Sequence, residues 1–272
     1  MFQYALCASP GAALHEPVLF REDFDKLFPK AKELGFGGVE IHLRDAADAD
    51  ADMLEKLSRA SGVKVAAIAT GLAKRIDGLT LIDTDEAGRR RAIQRLKGHI
   101  DLAARFGCPV IIGSMRGNLP SGDAASEAYR LLAASIRELA DYTGSKNCSI
   151  AFEAINRYEN NYLNTAAETA AFLKEVNSEK VGMMLDAFHM NMEETDMHAA
   201  LWEHRDKLLH VHLADNTRLF PGSGSLDFKA LLRTLRQCGY GGWLSMEYLP
   251  LPDEETAALW GIEYMKGIEK MG

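Results

Sequence analysis

Four apolar runs in this chain each close on a side chain that can bind a metal ion or carry a proton. Val181 to Leu185 leads into Asp186, Ile150 to Phe152 into Glu153, Leu208 to Val211 into His212, and Trp243 to Met246 into Glu247. A carboxylate at the carboxyl end of a buried strand is costly unless a metal or another cation compensates it. One such residue alone reads as a buried, paired polar group. Four on successive runs read as a site. Glu153, Asp186, His212 and Glu247 are therefore the expected ligands of one divalent cation. Their oxygen-rich, single-imidazole donor set suits Mn²⁺, Mg²⁺ or Co²⁺ better than structural Zn²⁺. His210 shares a strand face with His212 one layer deeper and reads as a core histidine, as does His42.

The elements that carry these residues alternate throughout. Strands are expected over 3–7, 39–43, 63–69, 110–115, 149–153, 181–186, 208–213 and 243–247. Helices are expected over 21–34, 52–60, 85–106, 124–142, 165–176, 197–204, 227–238 and 253–271. Apolar residues at helical spacing mark 21–34, and glycines follow several helix ends, Gly35, Gly107 and Gly239 among them. Thr165 with Glu168 forms a capping-box pattern. Eight strands alternating with eight helices predict a single (β/α)₈ TIM barrel over residues 1–272, with the active site at the C-terminal ends of the strands. The rival, a doubly wound open sheet, usually carries a Gly-rich turn after its first strand, and none stands there.

Composition narrows the function. The chain has 272 residues, 47% hydrophobic and 26% charged, enough for one large core. A net charge of −8 argues against a nucleic-acid or acidic-membrane partner. Cys7, Cys108, Cys148 and Cys238 are scattered without a Cys-x-x-Cys pair and read as free thiols in a reducing compartment. With no signal-peptide pattern and no membrane-length apolar run, the expected setting is the cytoplasm.

The stretches Glu153-Ala-Ile-Asn156-Arg157-Tyr158-Glu159, Asp186-Ala-Phe-His189, His210-Val-His212-Leu-Ala-Asp-Asn-Thr-Arg218 and Met246-Glu247 resemble the D-tagatose 3-epimerase and D-allulose (psicose) 3-epimerase group. That group belongs to the xylose-isomerase-like TIM barrels. The resemblance is strong over 150–250 and lies mostly in element order before that. It implies a metal-dependent 3-epimerase of a ketose or related keto-sugar, with Mn²⁺ as the first choice of cation. Glu153 and Glu247 would double as the proton-transfer pair, working through a metal-stabilised enediolate. Glu159, His189 and Arg218 would contact substrate oxygens. A small-molecule sugar is the implied partner, and the implied assembly is a homodimer or homotetramer.

Cations at strand ends depart from that pattern. Lys74 and Arg75 follow the third strand and Arg116 the fourth, where the family's neutral-sugar members carry uncharged and aromatic residues. Arg116 is expected to touch substrate, and such cations would suit a carboxylate or phosphate. Pairs with Asp77 or Asp83 are the competing explanation for Lys74 and Arg75. Gly222 to Asp227 reads either as a phosphate cradle or as a tight turn capped by Asp227 or Ser225. Rival functions on the same residues are an aldose–ketose isomerase and a keto-sugar or C-glycoside lyase. Abasic-site endonuclease and non-catalytic sugar binding rank below these.

Overall fold

Eight short strands run in one direction, and each finds a parallel neighbour. In the computed structural model, which describes residues 1–13 and 15–271, these are β1 (Gln3–Ala8), β2 (Gly38–His42), β3 (Lys64–Ala69), β4 (Val110–Ile112), β5 (Ile150–Glu153), β6 (Val181–Asp186), β7 (Leu208–Leu213) and β8 (Trp243–Met246). They pair in sequence order, and β8 pairs back with β1, so the sheet has no free edge. This is the (β/α)₈ barrel that the alternation predicts.

The helices are α1 (Phe24–Glu33), α2 (Ala51–Ser61), α3 (Gly71–Asp77), α4 (Glu86–Phe106), α5 (Ala124–Thr143), α6 (Ala166–Val176), α7 (Ala187–Glu193), α8 (Met197–Glu203), α9 (Phe228–Gln237) and α10 (Glu254–Lys270). The short α3 and α7 escape a reading by periodicity, since seven residues barely complete two turns. Both follow a strand directly and shape the barrel mouth.

Local chemistry sets the helix ends. Thr165 accepts the Glu168 N–H (3.1 Å) while the Glu168 carboxylate accepts the Thr165 N–H, so the capping box opens α6. Gly107 ends α4 in the left-handed region, with φ 66°. On α9, Phe228, Leu231, Leu232 and Leu235 recur at helical spacing and form its buried face.

Two cores result. The larger lies between the strands and the helices. Inside the barrel, Ala67, Ala69, Ile111, Ala151 and Met184 fill the side made by β3 to β6. The other side encloses Cys7, Glu40, His210 and Ser245, all fully buried. The barrel interior is thus half apolar and half a polar network, which must satisfy itself by hydrogen bonding. All four cysteines are free thiols. Among the described residues no helix is long and apolar enough to cross a membrane.

Candidate active site

Strands β5 to β8 bring the four expected ligand side chains together. Asp186, the last residue of β6, caps α7: its Oδ1 accepts the Phe188 N–H at 2.9 Å. Its Oδ2 is buried without a partner among the described residues. His212 sits beside it in register on β7. The His212 Nδ1 is likewise buried without a hydrogen bond, 3.6 Å from Glu247 Oε2. Glu153 ends β5, and ligand atoms of Glu153, Asp186 and His212 all lie within 4.8 Å of one another. The missing side chain of Gly113 makes room for Glu153, because a Cβ there would collide with Glu153 Oε2. Two orphaned polar atoms among converging carboxylates fit a divalent cation. Glu153, Asp186 and His212, with Glu247 beside them, would give such a cation mainly oxygen donors.

A residue that sequence reasoning passed over organises this centre. Glu40 lies within β2 and is wholly buried. Its carboxylate receives His212 Nε2 at 2.9 and 3.0 Å, His210 Nε2 at 2.7 Å and His42 Nε2 at 2.9 Å. Ser245 Oγ also meets His210 Nε2, at 2.9 Å. Because Glu40 can only accept when ionised, His212 donates from Nε2, which leaves Nδ1 free to turn a lone pair toward a cation. His42 and His210 are therefore supporting members of the network. The signal available in the sequence was a carboxylate between Val39 and Ile41 in an otherwise apolar strand.

Burial and proximity set the proton affinities. Burial alone would raise Glu40, but His212 and His210 hold it well below the usual carboxylate range. Burial and then the neighbouring Glu247 push Glu153 up to about 8. Burial raises Asp186 to about 6, against the pull of Arg218 and His212. For Glu247 burial is outweighed by His212 and Arg218, and it falls to about 2. His212 is raised, since Glu40 and Glu247 overcome the cost of burying its charge. Three acids and an imidazole thus compete for protons in one small volume, a competition that a divalent cation would relieve.

Above this floor opens a cavity of about 380 Å³. Glu153, Glu159, His189, His212, Arg218 and Glu247 line it, with Asp186 beneath. His189 projects from α7, with Nε2 3.5 Å from Glu153 Oε1 and 3.7 Å from Asp186 Oδ2. Its orientation is set by Asn156. The Asn156 Oδ1 accepts the N–H groups of Tyr158 and Glu159, so Nδ2 is the atom that meets His189 Nδ1 at 2.6 Å. The imidazole then carries its proton on Nε2, facing the cavity. Burial, with Arg218 nearby, lowers the His189 pKa well below its ordinary value and keeps the ring neutral. Arg218 donates to Glu159 Oε1 and Glu247 Oε2, each at 3.0 Å, and lies over the Phe188 ring.

Arg116 does not reach this cavity, which corrects the expectation that it touches substrate. The fourth strand ends at Ile112, earlier than the apolar run suggests, and a 3₁₀ turn over Ser114–Arg116 redirects the chain. Its guanidinium is fully buried, sandwiched by Phe152 and Tyr162 and donating to the carbonyls of Glu153 and Leu163. The loop after β7 resolves as a turn rather than a phosphate cradle. Its N–H groups at Gly222, Gly224 and Leu226 already bond the buried Asp215 carboxylate, and Asp227 caps α9.

Comparison with known proteins identifies the family and the fold. Residues 28–268 match the family described as xylose isomerase-like TIM barrel. A ketose 3-epimerase of Arthrobacter globiformis is 30% identical over 217 residues, 78% of this chain and 73% of that protein. A 3-dehydro-D-guloside 4-epimerase of Escherichia coli is 31% identical over 238 residues, 85% of this chain and 88% of that protein. The crystal structure of a D-allulose 3-epimerase from Methylomonas sp., in complex with D-allulose, superposes with a TM-score of 0.83 at 24% identity. It covers 98% of this chain and 96% of that one, and shows the shared fold.

Proposed function

We propose that this chain, which belongs to the xylose isomerase-like TIM barrel family, is a divalent-metal-dependent epimerase that inverts C3 of a ketose or related keto-sugar. The observation that carries this reading is the placement of Glu153 and Glu247 on one cavity. In strand order they flank Asp186 and His212, each of which has a buried atom without a hydrogen bond. Their kinship to ketose 3-epimerases such as that of Arthrobacter globiformis supports the substrate class.

The hydrogen at C3 is acidified by the adjacent ketone, yet remains too weak an acid for a carboxylate alone. Held by Glu153, Asp186, His212 and Glu247, a divalent cation (Mn²⁺ first, Mg²⁺ or Co²⁺ otherwise) would supply the Lewis acidity that polarises the ketone. The proteinaceous steps follow from position. One of Glu153 and Glu247 removes the proton from one face of C3, and the other returns a proton to the opposite face. His189 donates its Nε2 hydrogen to the oxygen on which negative charge develops. Arg218 fixes Glu247 and Glu159, and Glu159 accepts from a substrate hydroxyl. Free thiols throughout suit a reducing, cytoplasmic setting. Exposed Leu259, Trp260 and Tyr264 on α10 offer apolar surface for a homodimer or homotetramer.

Turnover of D-fructose or D-allulose with Mn²⁺ in D₂O tests the reaction. Deuterium should enter the product at C3, as read by NMR. A second reading, inversion of C4 in a 3-keto-sugar, is favoured by the relative from Escherichia coli, matched over 88% of its length. The chemistry is the same, one carbon along, and label at C4 of a 3-keto-glycoside would establish it. Label confined to C1 or C2 would mean an aldose–ketose isomerase, and release of a fragment would mean a lyase.

A further inference from the structure

The cavity has two electrically different walls. Strands β5 to β8 contribute Glu153, His212 and Glu247, and the carboxylate-rich floor. In an eight-strand ring, β3 stands opposite β7, so the segment that follows β3 faces His212 across the mouth. That segment is α3, and it lines the same cavity with Lys74 and Arg75.

Arg75 is neutralised by an ion pair with Glu16. Arg218, the other cation on the wall, is shared between Glu159 and Glu247. Lys74 is different. It is half-buried and, among the described residues, has no hydrogen bond or carboxylate partner. The acid that the sequence offered it, Asp77, is already bound by Arg44 and Arg95. The Asp83 carboxylate accepts the Asp85 N–H instead. The fully buried Arg116, near enough to bear on the Lys74 charge, is also without a carboxylate partner. Lys74 is thus left without an acidic partner at one end of a partly desolvated cavity, with a second buried cation behind the wall. Such an arrangement is unfavourable unless an anion completes it.

We propose that Lys74 recognises a negatively charged group, a carboxylate or a phosphate ester, at the end of the substrate farthest from Asp186 and His212. The substrate would then be an acidic or phosphorylated keto-sugar, spanning the cavity from the carboxylate-rich floor to the cationic rim. The shared chemistry is one anionic group accepting a charge-assisted hydrogen bond from an ammonium. This rests on the epimerase reading for which carbon reacts, but not for which end is charged.

The test measures binding and turnover separately. D-fructose, D-fructose 6-phosphate and D-fructuronate are titrated calorimetrically into the Mn²⁺-loaded protein, and C3 exchange in D₂O is followed for each. At least one of the two anionic sugars should bind about tenfold or more tightly than D-fructose, the preference falling with added salt. Lys74→Met should weaken the preferred anion at least about tenfold more than D-fructose, while Lys74→Arg should keep the preference. Which anion prevails separates carboxylate from phosphate. Equal affinity for all three sugars overturns the proposal, as does an anion preference that survives in folded Lys74→Met. Tight, Lys74-dependent anion binding without exchange at C3 would instead uphold this inference and sink the 3-epimerase reading.

Discussion

Glu40 and His212 meet inside the barrel, with the imidazole Nε2 2.9 and 3.0 Å from the two carboxylate oxygens. The contact turns the other ring nitrogen toward Asp186 and Glu247, so a residue that never reaches the cavity governs the donor that does. Glu40→Gln keeps the shape but replaces one acceptor oxygen with an N–H. Calorimetric affinity for Mn²⁺ should fall by roughly 10–100-fold, with the circular dichroism spectrum retained. Unchanged affinity would show that His212 needs no such support.

Proton and cation should compete in a defined pH window. Burial, with Glu247 in second place, raises Glu153 from 4.5 to about 8, and burial raises Asp186 from 3.8 to about 6. A carboxyl that binds its proton more tightly when folded stabilises the fold below its unfolded pKa. That stability is lost as pH rises through the folded value. Glu247, lowered to about 2, is ionised throughout this range and adds a constant amount. Buried His189 and His210, lowered from 6.5, oppose this below that pH, so after chelator treatment the melting temperature should drop between about pH 6.5 and pH 8.5. The rise in Tm on adding Mn²⁺ should grow over the same interval. A gain independent of pH would place the cation elsewhere.

Gly113→Ala tests how closely Glu153 is fitted. The new methyl meets Glu153 Oε2, so the carboxylate must move while the backbone of β4 need not. Activity should fall by about 10²-fold, as for a small misplacement of a reacting group. Thermal stability should change little. Retained activity would mean that Glu153 tolerates displacement and does not handle the proton.

Asn156→Asp tests the proton position on His189. An acceptor oxygen would replace Nδ2, drawing the imidazole proton to Nδ1 and stripping it from Nε2. The kcat should fall roughly 10²–10⁴-fold, the contribution of a positioned proton donor that the wrong tautomer removes. A rise in KM alone would assign Asn156 to binding.

The outer core offers a control remote from the chemistry. Leu235 is fully buried on α9, and Leu235→Ala should cost roughly 2–5 kcal/mol in denaturant unfolding. The specific activity of the folded fraction should be preserved.

How far the sequence could be read depended on where each residue falls in its element. Asp186, Glu153, His212 and Glu247 were legible because each interrupts or ends an apolar run, and the barrel gathers such ends on one face. Glu40 was not, since one acidic residue between Val39 and Ile41 reads like the polar position of a half-exposed strand. Only closure of the barrel turns that position inward, onto His210 and His212. Arg116 misled for the opposite reason. Its place just after a strand suggested the mouth, but one 3₁₀ turn carried the guanidinium behind β5. Helices α3 and α7 are too short for periodicity, yet they bring Lys74 and His189 to the cavity wall.

Asp186 divides its two oxygens, one spent on the Phe188 N–H and the other buried without a hydrogen bond among the described residues. A carboxylate so divided can offer a single oxygen, and its neighbour His212 offers a nitrogen. Calcium seeks six to eight oxygen ligands at longer distances than the smaller divalent cations do. Ion size and ligand number would therefore discriminate here against calcium in favour of a smaller cation. The start of a helix would act as a sieve for the metal.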